Sequence, residues 1–141
     1  MITVDDYFMG RDKVVKYKAE LTPDKRASAM QTVARINQLL AACRAYGIGI
    51  DMNPNTGTPV SSGWRPAQIN SETAGAAPRS KHIICQACDI YDPEGEIDQW
   101  AIDHPEILAG IGLWQEHPSC TKSWAHFQIV APKSGRRVFY P

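Results

Sequence analysis

The chain has no surplus of charge of either sign and no long apolar segment. It carries 15 basic and 15 acidic side chains, so its formal net charge is zero. Proteins that bind DNA or RNA through the phosphates usually carry a basic excess, and we therefore expect no nucleic-acid partner. No apolar run approaches the roughly 20 residues of a membrane-spanning helix, so we expect no membrane span.

The first residues lack the basic and then apolar pattern of a secretory signal peptide. They are a mixed sequence that includes Asp5 and Asp6. The sequence therefore predicts a protein made in the cytoplasm, which would need release or delivery by another route to act elsewhere.

Cysteine is scarce, with four residues at Cys43, Cys85, Cys88 and Cys120. Cys85 and Cys88 form a single C-x-x-C pair, and no second pair stands at the spacing of a structural zinc site. Without a signal peptide there is little reason to expect disulfides. We expect buried, inert thiols, with a metal role or a disulfide as the alternatives.

What is present is the composition of an ordinary globular protein, 43% hydrophobic and 21% charged. A chain of 141 residues suits one hydrophobic core, and residues 1–141 are therefore predicted to form a single domain. Residues 1–21 show no clear periodicity. They are interpreted as an N-terminal arm whose aromatic side chains, Tyr7 and Phe8, dock on the core.

One long amphipathic helix is predicted over residues 23–46. Thr22 can cap its first N–H groups, Pro23 suits its first position, and Gly47 ends it. Its apolar stripe consists of Ala29, Met30, Val33, Ile36, Leu40 and Cys43. This stripe predicts packing against a sheet.

Short strand patterns follow the long helix and are separated by turn-forming residues. The predicted strands span 60–65, 87–92, 111–114 and 124–130. A short helix or turn is predicted from about 66 and a short helix over 96–104, and residues 132–141 predict a last edge segment. A helix followed by short strands indicates an α+β domain with a mainly antiparallel sheet, on which the N-terminal helix packs.

Two short stretches carry residue types that bind metal ions. Residues 80–89 contain His82 and Asp89, and residues 123–127 contain His126. Three protein ligands leave one coordination position open, as in catalytic zinc centres. The pair His82 and Asp89 alone also fits a loop histidine and a strand-end aspartate, so the site requires the two stretches to meet in space.

Pairing of the strands that contain Trp114 and Trp124 would add a carboxylate to this site. If a symmetric loop centred near Cys120 joins the strands, Trp114 lies opposite His126 and Glu116 opposite Trp124. Glu116 and His126 then share a face of the sheet. Glu116 would be the general base of a metal-assisted hydrolysis, although a one-residue slip would turn it away.

Three further polar residues are considered. A guanidinium at Arg65 can hold a substrate carboxylate or a developing oxyanion, and a surface ion pair fits its position equally well. His117 follows Glu116 in a loop and is a candidate for a second catalytic or substrate-binding group. His104 is expected to be structural or exposed.

The motif Ser80-x-His82-x-x-x-x-Ala87-x-Asp89 is preceded by Ser62-Gly63-Trp64-Arg65-Pro66 and followed by Trp124-Ala125-His126. Together these segments resemble the zinc D-Ala-D-Ala carboxypeptidase and L-alanyl-D-glutamate peptidase family. Members of that family, including phage endolysins, cut the peptide part of peptidoglycan. The likeness is greatest to the compact, phage-associated branch and covers nearly the whole chain.

The resemblance implies a zinc ion bound by His82, Asp89 and His126, with Arg65 and Ser80 near the substrate. It implies a fold shared with the signalling domain of hedgehog proteins. The expected activity is hydrolysis of a peptidoglycan stem peptide or crosslink by a phage or prophage lysis or cell-wall-degrading protein. Such a protein would act on the cell wall or in the periplasm after release or delivery.

Two positions depart from the family pattern. Many members have glycine where this chain has Cys85. Many place the base, Glu or Asp, three residues before the last histidine, and Ser123 stands there. Some related zinc peptidases have a histidine two residues before the last histidine ligand, where this chain has Trp124. Glu116 is therefore the candidate base, and the alternative is a non-catalytic, metal-containing cell-wall-binding or virion structural module.

Overall fold

The longest element of the computed structural model, which describes residues 1–141, is helix α3, Pro23–Ala45. The Thr22 hydroxyl accepts a hydrogen bond from the Lys25 N–H at 3.3 Å and caps its first turn. Tyr46 is the C-cap of the helix, and Gly47 follows with a φ of +87°. The helix predicted over 23–46 is confirmed. Its buried face consists of Ala29, Thr32, Val33, Ile36, Leu39, Leu40 and Cys43.

Five strands form one sheet in the order β1-β2-β4-β3-β5. Their bounds are β1 Val60–Ser62, β2 Ala87–Tyr91, β3 Trp114–Glu116, β4 Trp124–Gln128 and β5 Val138–Phe139. All neighbours pair antiparallel except β3 and β5, which are parallel. The α+β class and the mainly antiparallel sheet are confirmed, and β5 is the edge segment expected from the C-terminal residues.

The remaining helices are short. They are α1 Val4–Phe8, α2 Val15–Lys18, α4 Ala67–Glu72, α5 Glu96–Asp103 and α6 Pro105–Ile111. The helix predicted over 96–104 is confirmed by α5. No helix combines the length and the apolar character that crossing a bilayer requires.

The strand predicted over 111–114 is wrong for most of its length. Pro105 starts a second helix directly after α5, and Ile111 is the last residue of that helix. Gly112 then ends α6 in the left-handed conformation, with a φ of +84°. The strand β3 therefore begins only at Trp114.

The N-terminal residues dock on the core, as predicted, but they do so as short helices. Tyr7 and Phe8 of α1 are buried, and the Tyr7 hydroxyl donates to the carbonyl of Ala87 at 2.8 Å. The carbonyl of Tyr7 accepts the N–H of Trp64 at 3.0 Å. The N-terminal segment thus connects β2 to the loop that follows β1, where Arg65 lies.

The hydrophobic core lies between the helices and one face of the sheet. Helix α3 packs against α1, α6 and β2. Ile36 and Leu40 of α3, Ile90 of β2 and Phe127 of β4 belong to one buried cluster. Side chains at alternate positions of β2 and β4 therefore point to the opposite face of the sheet.

Candidate metal centre

His82, Asp89 and His126 come together on that opposite face. All three side chains are buried, and their ligand atoms lie within 4.8 Å of one another. Oδ1 of Asp89 is 3.2 Å from Nε2 of His82 and 2.7 Å from Nδ1 of His126. The two stretches predicted to carry metal ligands therefore do meet in space.

The strand register places two of the three ligands. Asp89 of β2 lies directly opposite His126 of β4. Their neighbours Ile90 and Ala125 belong to the hydrophobic core. Because side chains alternate between the faces of a sheet, burial of the apolar neighbours directs Asp89 and His126 away from the core, side by side.

The third ligand, His82, is held by a tight turn before β2. Nδ1 of His82 is 2.7 Å from the carbonyl of Gly63, which fixes the proton on Nδ1 and leaves the lone pair of Nε2 free. Cys85 ends this turn with a φ of +61°, a conformation that favours glycine. The Cys85 carbonyl accepts the hydroxyl of Thr32 at 2.7 Å, so α3 supports the turn.

Arg65 contacts Asp89, one of the three candidate ligands, directly. Its Nη2 donates to Oδ2 of Asp89 at 3.1 Å, its Nε to Ser62 Oγ at 2.9 Å, and its Nη1 to Asn70 Oδ1 at 3.4 Å. A guanidinium has five N–H groups, so two remain free. The structure thus gives Arg65 a role in orienting Asp89. A contact of Arg65 with a substrate stays a prediction, for which two N–H groups are free.

The charge states of the ligands suit a divalent cation. Burial opposes ionisation of Asp89, but the charges and hydrogen bonds of His82 and His126 outweigh burial and lower the pKa of the carboxyl. Burial lowers the pKa of His82 and keeps it neutral. For His126, burial lowers the pKa, but Asp89 and Glu116 more than compensate and raise it. An ionised carboxylate and neutral imidazoles are the metal-binding forms, so the raised pKa of His126 means that protons compete with a metal ion for its ring.

Glu116 lies beside this group, although the predicted strand register is wrong. Trp114 pairs with Gln128 and not with His126. The difference is two residues, which preserves the face on which each side chain lies. Oε2 of Glu116 is 3.9 Å from Nδ1 of His126.

The register differs because the connection between β3 and β4 is not symmetric about Cys120. It contains a 3-10 turn over Pro118–Cys120. Ser123 then takes the left-handed conformation, with a φ of +69°. Ser123 is exposed and does not line the cleft above the ligands.

The chemical environment of Glu116 suits a proton acceptor. Burial raises the pKa of its carboxyl, nearby His126 lowers it, and Asp89 raises it, with a net increase. A raised pKa makes a carboxylate a stronger base at neutral pH. Glu116 therefore lies beside the ligand group with a raised pKa, and its role as a general base stays a prediction.

The three ligands lie in an open cleft with a volume of about 560 Å³. Arg65, Ser80, Glu116 and Trp124 also line it. The Ser80 Oγ accepts the N–H of His82 at 3.3 Å, and contact of Ser80 with a substrate stays a prediction.

Two other histidines lie apart from the ligand group. His117 does not line the cleft, because its ring stacks on Tyr140 at a centroid distance of 4.6 Å. Its Nδ1 is 2.8 Å from the hydroxyl of Ser119. His104 is structural, as predicted, with Nδ1 2.7 Å from the carbonyl of Trp100.

Some contributors to the site are not evident in the sequence. Asn70 reaches Arg65 from α4, and no motif indicates this contact. Ser62 is part of the Ser-Gly-Trp-Arg motif, but its bond to Arg65 appears only in the structure. Arg79 and Lys81 flank Ser80 in the sequence and line the cleft with it. Their position beside Ser80 is the one signal that could have indicated them.

Two imidazoles and one carboxylate are a donor set that divalent transition metals accept. Three converging ligands with cleft space beside them leave room for a further ligand, unlike a closed structural site. No protein-family model, curated protein or solved structure matches the chain. The assignment of a function therefore depends on the residues and geometry described above.

Proposed function

We propose that the protein is a zinc-dependent peptidase that hydrolyses a peptide bond of bacterial peptidoglycan, in the stem peptide or a crosslink. The observation that carries the proposal is the convergence of His82, Asp89 and His126 in an open cleft with Glu116 beside them. Hydrolysis assisted by a metal requires these parts: a ligand set with an open position, a nearby base and access for a substrate.

Zinc fits this ligand set. Two histidines and one carboxylate are a ligand combination of catalytic zinc centres, in which an exchangeable ligand takes the fourth position. When bound, such an ion supplies Lewis acidity, which polarises a carbonyl group and makes water more acidic. The carbonyl of Gly63 and the guanidinium of Arg65 keep His82 and Asp89 oriented for this role.

The remaining side chains of the cleft bind the substrate and move a proton. Glu116 takes a proton from the attacking water and returns it to the leaving amine. The two free N–H groups of Arg65 are available to a substrate oxygen, and Ser80 contributes a hydroxyl to the cleft wall. His117 would need its loop to move before it could contact a substrate.

The choice of peptidoglycan as substrate rests on the resemblance of the Ser80–Asp89 motif and its flanking segments to peptidoglycan metallopeptidases. The same resemblance supports a hedgehog-like arrangement of the sheet and a phage or prophage lysis or cell-wall-degrading role. The protein would then act on the wall or in the periplasm after release or delivery.

Digestion of purified peptidoglycan tests the proposal. The protein is incubated with the wall material and zinc, and released peptides and new termini are identified by mass spectrometry. Products are expected with zinc, lost with a chelator and restored by added zinc. Absence of products with a zinc-loaded, folded protein would contradict the peptidase function.

A Glu116→Gln variant tests the base. It should bind zinc like the parent and lose activity by about 10²–10⁴-fold, the usual contribution of general base catalysis. Glu94→Gln, at an exposed residue outside the cleft, is the matched control and should keep full activity. Full activity of Glu116→Gln with zinc bound would make the assignment wrong.

The second candidate is a metal-containing cell-wall-binding or virion structural module without catalysis. Ser123 favours this module. In the peptidase family that the sequence resembles, the corresponding position often carries an acidic residue, and Ser123 is exposed outside the cleft. Sedimentation of the protein with wall material, without any released peptide, would support this module over the peptidase.

A further inference from the structure

Two cationic side chains in the cleft wall have no partner within the protein. Arg79 and Lys81 line the cleft on either side of Ser80. Every ion-pair contact of the structure involves Arg65 or one of the ligand histidines, and none involves Arg79 or Lys81. Two unpaired cations in a cleft create a positive potential that attracts an anion.

The other charged side chains of the cleft already have partners. Arg65 pairs with Asp89, and Glu116 faces His126. Arg65 is therefore a weak candidate for the main anchor of a substrate carboxylate. The uncompensated positive charge of the cleft lies at Arg79 and Lys81.

The backbone that carries these cations is held in place. The N–H of His82 donates to Ser80 Oγ at 3.3 Å, and the N–H of Gln86 donates to the carbonyl of Lys81 at 2.9 Å. The N–H of Arg65 donates to the carbonyl of His82 at 3.2 Å, which fixes this segment beside the end of β1. Only the long side chains of Arg79 and Lys81 need to adjust when a ligand binds.

The segment that carries the two cations lies beside the end of β1, because the carbonyl of His82 accepts the N–H of Arg65. Glu116 lies on β3. The sheet order β1-β2-β4-β3 places Asp89 of β2 and His126 of β4 between β1 and β3.

We propose that Arg79 and Lys81 bind a carboxylate of the substrate, so that the cleft selects anionic peptides. The carboxylate would lie on the β1 side of the ligand group, whereas Glu116 lies on its β3 side. The guanidinium of Arg79 offers a planar pair of N–H donors that matches a carboxylate, and Lys81 adds a compact charge. This inference rests on the proposed peptidase function.

Binding without turnover gives the first test. The zinc-loaded Glu116→Gln protein is titrated calorimetrically with a synthetic peptidoglycan stem pentapeptide whose carboxyl groups are free, and with the same peptide as its carboxamide. The free acid should bind about 10-fold more tightly, and the preference should fall with added salt because these side chains are solvent-accessible. Equal affinity for the two peptides overturns the proposal.

Charge removal identifies the residues responsible. In the same background, the pair Arg79→Gln and Lys81→Gln should bind both peptides equally, with circular dichroism showing an intact fold. The matched control carries Arg44→Gln and Lys122→Gln, at two exposed positions outside the cleft. It should keep the preference for the free acid over the carboxamide. A preference that survives Arg79→Gln and Lys81→Gln overturns the proposal.

Hydrolysis separates this inference from the proposed function. In the parent protein, Arg79→Gln with Lys81→Gln should raise KM about 10-fold and change kcat little, because the cations bind the substrate away from the reacting atoms. If no peptide is cut but the charge preference is present, the anion-binding site is supported and the peptidase function is wrong. If peptides are cut without any charge preference, the function stands and this site is wrong.

Discussion

Asp89 and His126 lie directly opposite each other on neighbouring strands, and Asp89 Oδ1 is 2.7 Å from His126 Nδ1. The same oxygen is 3.2 Å from Nε2 of His82. One carboxylate oxygen thus contacts both imidazoles, while the other oxygen is held by Arg65 at 3.1 Å. Asp89 therefore lies at the centre of the ligand group.

Replacement of His126 should remove most of the affinity for zinc. His126→Ala leaves two of the three ligands, and we expect the zinc Kd to rise by at least about 100-fold, above the usual effect of a residue that only supports a ligand. Equilibrium dialysis with metal analysis measures the change. His117→Ala is the control, because His117 lies outside the cleft. Unchanged zinc binding by a folded His126→Ala protein would exclude His126 as a ligand.

Arg65→Lys should weaken zinc binding even though the positive charge is kept. A single ammonium group cannot replace the three contacts of the guanidinium with Ser62, Asn70 and Asp89. We expect a zinc affinity about 10–100-fold lower, measured without substrate. Arg44→Lys, at an exposed position on α3, should have no effect. An effect of Arg65→Lys on substrate KM alone would show that the support of Asp89 does not matter.

The buried carboxyl of Asp98 should make stability depend on pH. Burial raises its pKa from 3.8 to about 6, although Gln115 and Thr121 donate hydrogen bonds to it. The folded protein therefore holds a proton between about pH 4 and 6 that the unfolded chain releases. The free energy of unfolding should fall as the pH rises through this window, by about 2–3 kcal/mol in total.

Urea denaturation between pH 4 and 7 measures this effect. The Asp98→Asn variant keeps the shape of the side chain and has no proton to lose, so its stability should fall less over the same range. Asp103→Asn, at an exposed residue of the same helix, is the control and should follow the parent. Parallel curves for the parent and Asp98→Asn would show that this carboxyl does not titrate as expected.

Gly63→Ala should strongly destabilise the fold. A Cβ at Gly63 would lie 1.8 Å from the carbonyl oxygen of Tyr7, because α1 approaches the backbone there. We expect a loss of about 3 kcal/mol or more in the free energy of unfolding. Gly110→Ala is the matched control: its Cβ would meet nothing within 4 Å, and alanine should stabilise α6 by about 0.5–1 kcal/mol. A Gly63→Ala protein as stable as its parent would contradict the close approach of α1.

Much of the site could be predicted because its residues belong to local patterns. His82 and Asp89 lie within ten residues of each other, and the capped helix α3 is evident from Thr22, Pro23 and its apolar stripe. The face on which Glu116 lies was also predicted, since an error of two residues in register leaves it unchanged. The spacing of apolar residues and the presence of helix-capping residues can be read directly from the sequence.

The parts that were missed depend on contacts between distant residues. The helix α1 has five residues, too few for a periodic pattern, and it is held by the bond from Trp64 to Tyr7. The register of β3 depends on the left-handed turn at Ser123, which its residue type does not indicate. The ion pair between Arg65 and Asp89 likewise becomes evident only when β1 and β2 are paired.

The distribution of the cysteines offers a way to observe the cleft directly. Cys43, Cys85 and Cys88 are buried, and burial raises the pKa of the Cys43 and Cys85 thiols to about 12, so few reactive thiolates form there. Cys120 is exposed and lines the cleft. A maleimide dye should therefore label this one position, and its fluorescence would report the arrival of a peptide at the cleft in real time, even in a protein that cuts nothing.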